Sequence, residues 1–240
     1  MIAADGRDLI FVTGAPGSKW SALAHALAYC DGVDNSDVAE ARTYGGDRRT
    51  SHFGNYFGPG MEFGDDFDRV DRLTREELLQ AFSLPYAGTG GTKLIKSHMF
   101  AAHLPALLDM FPAARAMVVH RSDRACLRWW LEAGGFGISF PDYTWYGDED
   151  GMAAQIARDN VGIVDFVSRA GLRLRRYRSM APIVTQLGLR YSRAGVIAYA
   201  ATEWERRYGL GDADTFEDIM AALDARARLA QVACYTPILR

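Results

Sequence analysis

The sequence predicts an α/β protein, a single domain over residues 1–240 in which a central parallel sheet is flanked by helices and the C-terminal part is mainly helical. Three observations carry that expectation. Short apolar runs alternate with segments of helical periodicity over the first 131 residues, which is the pattern of strand–turn–helix units. Each apolar run stops at a residue suited to a turn or a site: Gly14, Ser97-His98 or Arg121. No Pro/Gly-rich linker divides the chain, so the helical segments after residue 131 complete the same body.

Leu9-Ile-Phe-Val-Thr13 is a continuous apolar run closed by Gly14, as expected of a strand buried on both faces. From Trp20 to Tyr29, Leu23, Ala24 and Leu27 recur at helical spacing. A strand, a glycine-bearing turn and a helix in this order present backbone N–H groups to an anion. Residues 31–72 carry seven glycines, six aromatics and ten acids without a clear period, so they read as a binding loop or lid rather than a linker. Thr74-Arg-Glu-Glu77 is a capping box opening a helix to about Phe82. Lys93-Leu-Ile-Lys96 is a second strand, followed by Ser97-His98 and a helix near 101–110. A third strand at 114–120 runs into Arg121 and a helix bearing Leu127, Trp130 and Leu131. Further on, 151–169 reads as a helix and 172–178 as a fourth strand. Helices are expected at 181–188, 194–208 and 215–230, the last opened by Thr215 with Asp218 three residues on.

The 240 residues have 49% hydrophobic and 24% charged content, which excludes disordered, collagen-like and coiled-coil classes. A net charge of −3 argues against a general nucleic-acid or membrane-surface binder, so any anion site must be a local gathering of positive groups. Cys30, Cys126 and Cys234 are odd in number and far apart, against a disulfide framework or a metal site. The first residues lack the order of a signal peptide, and no apolar run reaches the ~18 residues of a spanning helix. The chain reads as soluble and cytoplasmic, without stable membrane insertion, and its oligomeric state is not set by the sequence.

In a parallel sheet ligands bind beyond the carboxyl ends of the strands, where Gly14, His98 and Arg121 all fall. Gly14-Ala-Pro-Gly-Ser-Lys-Trp-Ser21 departs from the Walker A pattern, having Lys19 and Trp20 where that motif needs Gly and Lys. Its small residues still let N–H groups approach an anion, Lys19 adds charge, and Ser18 and Ser21 supply hydroxyls. The plainer reading is a tight strand-to-helix turn, with Trp20 as core. His98 is suited to taking a proton near neutral pH beside a fixed charge on Lys96; the plainer reading is a structural histidine. Arg121, Arg124 and Arg128 suit a phosphate, or simply a solvated helix face with Asp123 as partner.

Taken together these pieces resemble the sulfotransferases that use 3′-phosphoadenosine 5′-phosphosulfate (PAPS) and release PAP. Their first strand ends in Pro-Lys-Ser-Gly-Thr-Thr-Trp; here Gly17 falls on the loop glycine, Ser18 and Lys19 on the threonines, and Trp20 on the adenine-stacking tryptophan. Their Leu-Leu-Lys-Thr-His-Leu-Pro is similar to Leu94-Ile-Lys-Ser-His-Met-Phe, and their Arg-Asn-x-x-Asp-x-x-x-Ser strand end to the run from Arg121. Order and spacing agree over residues 9–131. The family's loop lysine falls on Ala15, its 3′-phosphate serine on Trp129, and its late Arg-Lys-Gly loop is only echoed by Arg193-Ala-Gly195.

The resemblance implies a nucleotide-binding core at 1–131 and a helical, acceptor-side completion at 132–240. It implies transfer of a sulfuryl group to a hydroxyl or amine of a small-molecule, glycan or lipid acceptor, with His98 as base and Lys96 and Lys19 stabilising the leaving group. The loop from Ala15 and Pro16 through Gly17, Ser18, Lys19, Trp20 and Ser21 holds the donor, Arg121 and Arg128 hold its 3′-phosphate with Arg193 in the late loop, and no metal is implied. The aromatic segments 44–67 and 136–146 are expected to shape the acceptor pocket, and the basic stretch 169–178 to bind an anion or to lie as a solvated face. A P-loop small-molecule kinase, or a binding protein of the same fold without activity, are the alternatives.

Overall fold

The computed structural model describes residues 2–46, 49–65, 67–88, 90–210, 213–227 and 233–235. Along the chain, β1 (Leu9–Gly14) and α1 (Trp20–Ala28) are followed by a hairpin of β2 (Thr43–Gly46) and β3 (Arg49–Phe53), then α2 (Arg75–Ser83), β4 (Lys93–Lys96), α3 (Phe100–Met110), β5 (Arg115–His120) and α4 (Asp123–Glu132). The rest comprises α5 (Glu149–Arg169), α6 (Ala181–Gln186), α7 (Arg193–Ala200), α8 (Glu203–Tyr208), α9 (Phe216–Ala227) and β6 (Ala233–Tyr235).

The main sheet is ordered β4-β1-β5-β6, with β4, β1 and β5 parallel and β6 antiparallel on β5. Leu9 and Phe11 alternate with Ile10 and Val12 between two apolar layers, so β1 is buried at every position and reads as an unbroken apolar run. One layer adds Leu78, Phe82, Phe100, Leu104 and Ile163 from α2, α3 and α5. The other adds Leu23 and Leu27 of α1 with Ile183, Val196, Ile219 and Leu223 from the C-terminal helices. The α/β architecture is therefore as expected, with helices on both faces of a small parallel sheet. The chain passes from β1 to β4 on one side and then crosses back through α3 to β5 on the other, so the connections run in opposite directions about β1 and the crevice opens at its Gly14 end.

The capping box on α2 is formed, with the Thr74 hydroxyl accepting from the Glu77 N–H at 3.3 Å and the Glu77 carboxylate accepting from the Thr74 N–H at 2.7 Å. Two expectations are corrected. Residues 172–178 form no strand: Leu172 and Leu174 pack on the core and alternate with exposed arginines, which mimics a strand's period, while β6 takes the free edge of β5. The helix expected at 194–208 is two, α7 and α8, because the Thr202 side chain accepts from the Glu205 N–H and starts a new helix. Residues 228–230 of the last expected helix lie outside the described residues.

The described residues of segment 31–72 are more ordered than the composition suggests. They lie along β4, pairing Val33 with Thr92 and donating Phe57 N–H to the Lys96 carbonyl at 3.0 Å, so they cover what would be an open sheet edge. Among the described residues no helix is long and apolar enough to cross a membrane.

Candidate functional site

The turn between β1 and α1 has two residues in the left-handed region, Gly17 (φ 78°) and Lys19 (φ 75°). At Gly17 a Cβ would stand 2.0 Å from the Cys126 carbonyl oxygen, so only glycine lets the turn seat against α4. Lys19 is the N-cap of α1, and no side chain satisfies the first N–H groups of that helix. The Ser18 hydroxyl is fully buried and has no hydrogen-bond partner. The turn thus offers uncapped amides and an unused hydroxyl at one point, which is the donor set an anion requires.

Positive charge reaches this point from two sides. Lys19 Nζ sits 3.6 Å from the Trp129 ring centroid, over its face. Arg121, at the end of β5, donates from Nη1 to the Gly17 carbonyl at 3.3 Å, and its guanidinium is 5.8 Å from the same ring. The remaining candidates supply no charge at this point. Ala15 is fully buried among Cys126, Trp130 and Met152. Pro16 and Ser21 belong to the turn and the first turn of α1, and Ser21 Oγ is 3.2 Å from His52 Nδ1. Trp20 is in the core, its ring 5.3 Å from His52 and 6.0 Å from Tyr56. Arg128 is an exposed partner of Glu132 at 2.7 Å. Arg193 pairs with Glu217 at 3.0 Å beside the C-terminal end of α1, away from the turn.

Lys96 is 1% exposed and committed to structure: Nζ is 3.1 Å from Asp37 Oδ2 and donates to the Phe53 carbonyl at 2.9 Å. Asn55 closes this cluster, donating to Asp37 from both its backbone and its side chain and accepting from the Lys96 N–H at 3.1 Å. Burial pulls the Lys96 ammonium below its ordinary range despite Asp37. His25 is likewise buried and paired through Nε2 with Glu205 at 2.9 Å, whose carboxylate also accepts from the Tyr29 hydroxyl.

His98 is different. Thr13 Oγ1 donates to its carbonyl at 3.1 Å, which fixes it beside the end of β1. Its Nδ1 is 3.1 Å from Asp159 Oδ2, at ion-pair distance although off the angle of a hydrogen bond. Its Nε2 is 2.5 Å from the Tyr146 hydroxyl. Asp159 is 1% exposed; burial raises its carboxyl above the usual range, while His98 and a 2.8 Å bond from Gln155 pull the other way. Tyr56 lies 5.8 Å away between ring centroids, and its buried hydroxyl lacks a well-directed hydrogen bond. Segments 44–67 and 136–146 meet here, with Phe140 5.4 Å from His52 and the Asp142 N–H on Met61 Sδ at 3.3 Å.

The structure therefore brings Ser18, Lys19, Arg121 and His98 to the ends of adjacent strands and leaves Arg128 and Arg193 outside. Sequence reasoning missed Asp159, and it placed Tyr146 and Tyr56 only within the aromatic segments expected to shape the acceptor pocket. A signal for Asp159 existed: with Asn160 it interrupts the apolar face of α5 set by Ile156 and Ile163, and buried charge at such a position needs a partner. No family description, curated protein or solved structure matches the chain significantly.

Proposed function

We propose that the chain moves a sulfuryl group from PAPS to a hydroxyl or amine of an acceptor, with His98 as the group that takes up the acceptor's proton. The observation that carries this reading is the nearness of two unlike devices: an uncapped, hydroxyl-bearing anion turn at the end of β1, and a buried imidazole at the end of the adjacent β4, tied to it by the Thr13–His98 bond. The first suits a phosphosulfate and the second suits removal of a proton from an incoming nucleophile. In this reading the α1 amides, Ser18 and Lys19 hold the donor's 5′ anion, and Arg121 holds its 3′-phosphate. Lys96 then acts at a distance, as the charge that holds segment 31–58 against β4.

One observation favours a second reading. The position of the family's loop lysine, Ala15, lies in an apolar cluster, and Lys96 is engaged by Asp37, so of the two lysines assigned to the leaving group only Lys19 stands at the turn. A chain that binds the nucleotide without turning it over fits those facts.

Thermal shift with PAP, PAPS, ATP and ATP–Mg²⁺, paired with labelled-sulfate transfer over sugars, lipids, phenols and peptides, separates these readings. PAP at a hundred times its Kd is expected to stabilise the protein by about 2.7 kcal/mol. His98→Ala is expected to slow transfer by about 10²–10⁴-fold. Stabilisation by ATP–Mg²⁺ but not PAP would overturn the proposal in favour of a kinase, and PAP binding without transfer would favour the second reading.

A further inference from the structure

His98 is 1% exposed, and protein groups stand at both of its ring nitrogens. Asp159 favours the proton on Nδ1, which leaves the Nε2 lone pair to accept from the Tyr146 hydroxyl. No acceptor can touch Nε2 while Tyr146 is there. Tyr146, by contrast, is half-buried: it ends the short 3-10 turn Thr144–Tyr146, between the exposed Trp145 and Gly147, whose φ of 80° turns the chain toward α5. Its hydroxyl meets the imidazole.

Building on the sulfuryl-transfer reading, we propose that Tyr146 is a catalytic relay: its phenol receives the acceptor's proton while passing its own to His98 Nε2, with Asp159 as the positioning residue behind the imidazole. The balance is complete. The acceptor O–H (or N–H) bond breaks and its proton forms a new O–H bond on Tyr146. The Tyr146 proton moves to Nε2, the acceptor heteroatom forms a bond to sulfur, and the sulfur–oxygen bond to the departing nucleotide phosphate breaks. Tyr146 ends as it began, and His98 ends as an imidazolium facing the Asp159 carboxylate. The reverse path returns that proton to solvent.

Two further observations support the relay. Burial and the neighbouring Asp159 hold the Tyr146 phenol far above its ordinary range, so it passes protons without dwelling as a phenolate. Tyr56 is 3% exposed, and its hydroxyl lies against the His98 backbone without a well-directed hydrogen bond, within electrostatic reach of Tyr143, Tyr146 and Asp159. A buried hydroxyl left unused at this point is a ready hydrogen-bond partner for an acceptor atom beside Tyr146.

Tyr146→Phe tests the assignment because it removes only the hydroxyl. Transfer is expected to fall about 10²-fold or more in kcat with KM little changed, as for loss of a proton-transfer group. The double variant with His98→Ala is expected to be no slower than His98→Ala alone, since both break one chain. Near-normal kcat in Tyr146→Phe, or additive losses in the double variant, would overturn the relay. Should Tyr146→Phe misfold, a proton inventory on the wild-type enzyme replaces it: two protons in flight support the relay, and one overturns it. A readout independent of turnover is the ¹⁵N spectrum of the His98 imidazole. Wild-type protein is expected to carry the proton on Nδ1 and a donated hydrogen bond at Nε2. Tyr146→Phe is expected to lose that bond and to slow exchange of the imidazole proton with water; unchanged exchange overturns the relay. Wild-type protein inert toward every acceptor would count against the transfer reading alone, and the exchange rate then decides for or against Tyr146.

Discussion

The Lys96 ammonium and the His98 imidazole leave the end of β4 two residues apart, and each belongs to a residue that is 1% exposed. Around Lys96 the polar atoms close on one another: Asp37 accepts from Lys96 and twice from Asn55, and Asn55 also donates to the Leu94 carbonyl. Around His98 the atoms do not close: His98 Nδ1, Asp159 Oδ2 and the Tyr56 hydroxyl all lack a well-directed hydrogen bond. A buried polar cluster that satisfies itself rigidifies a fold, whereas one with unmatched atoms keeps a cost that a bound molecule can relieve. The first cluster is a clamp, and the second holds the unmatched atoms on which the proposed proton transfer rests.

Breaking the clamp is the largest expected effect. Asp37→Ala leaves the buried Lys96 ammonium without its counter-charge and takes one acceptor from Asn55, at an expected cost of about 3–5 kcal/mol in chemical denaturation. Because Asn55 and Lys96 fasten segment 31–58 to the open side of β4, limited proteolysis of that segment should accelerate in the same variant. A loss below about 1 kcal/mol would remove the distinction between the two clusters.

Acid tests the same region more gently. His52 packs against Trp20 next to the clamp, and burial, with Lys96 adding to it, holds its imidazole well below the ordinary value. His25 is also lowered by burial. A histidine whose folded value lies below its unfolded one binds fewer protons in the native state. Stability is therefore full above the ordinary histidine value near 6.5 and is lost as the pH falls through it, by about 1.4 kcal/mol per pH unit for each such proton. Melting temperature should drop between pH 7 and pH 5, and His52→Gln should flatten that slope by one histidine's share. An unchanged slope would mean that His52 is protonated in the fold.

The sheet was legible because burial on both faces writes itself as unbroken apolar runs, and the α2 start was legible because a capping box is a local device. The turn after β1 was legible for the same reason, as the left-handed Gly17 that it requires is a local backbone feature. What escaped depends on contacts distant in sequence. Nothing near Lys96 announces Asp37 as its partner, so a lysine and a histidine at one strand end looked like a single pair of catalytic groups. Asp159 reaches His98 from a helix 61 positions away, and Tyr146 from an irregular segment between helices. Arg128 and Arg193 looked like phosphate ligands by type, and only the placement of Glu132 and Glu217 shows them to be engaged elsewhere.

The smallest expected effect separates the two buried carboxylates. Asp159 is held in its charged form only by His98, Gln155 and the more distant Arg158 against a dominant burial penalty, which is why its carboxyl is pushed up. An asparagine keeps the shape and an acceptor for Gln155 while removing the charge, and replacing a poorly compensated buried charge with a neutral group of equal size is neutral or stabilising. Asp159→Asn is therefore expected to change stability by less than about 1 kcal/mol, in contrast to Asp37→Ala. It is also expected to move the His98 proton from Nδ1 to Nε2, since an amide N–H cannot face an imidazole N–H. A loss of about 3 kcal/mol in Asp159→Asn would place this carboxylate with the clamp. A neutral stability change with a switched tautomer would show that Asp159 is retained at its own cost for the orientation it gives His98.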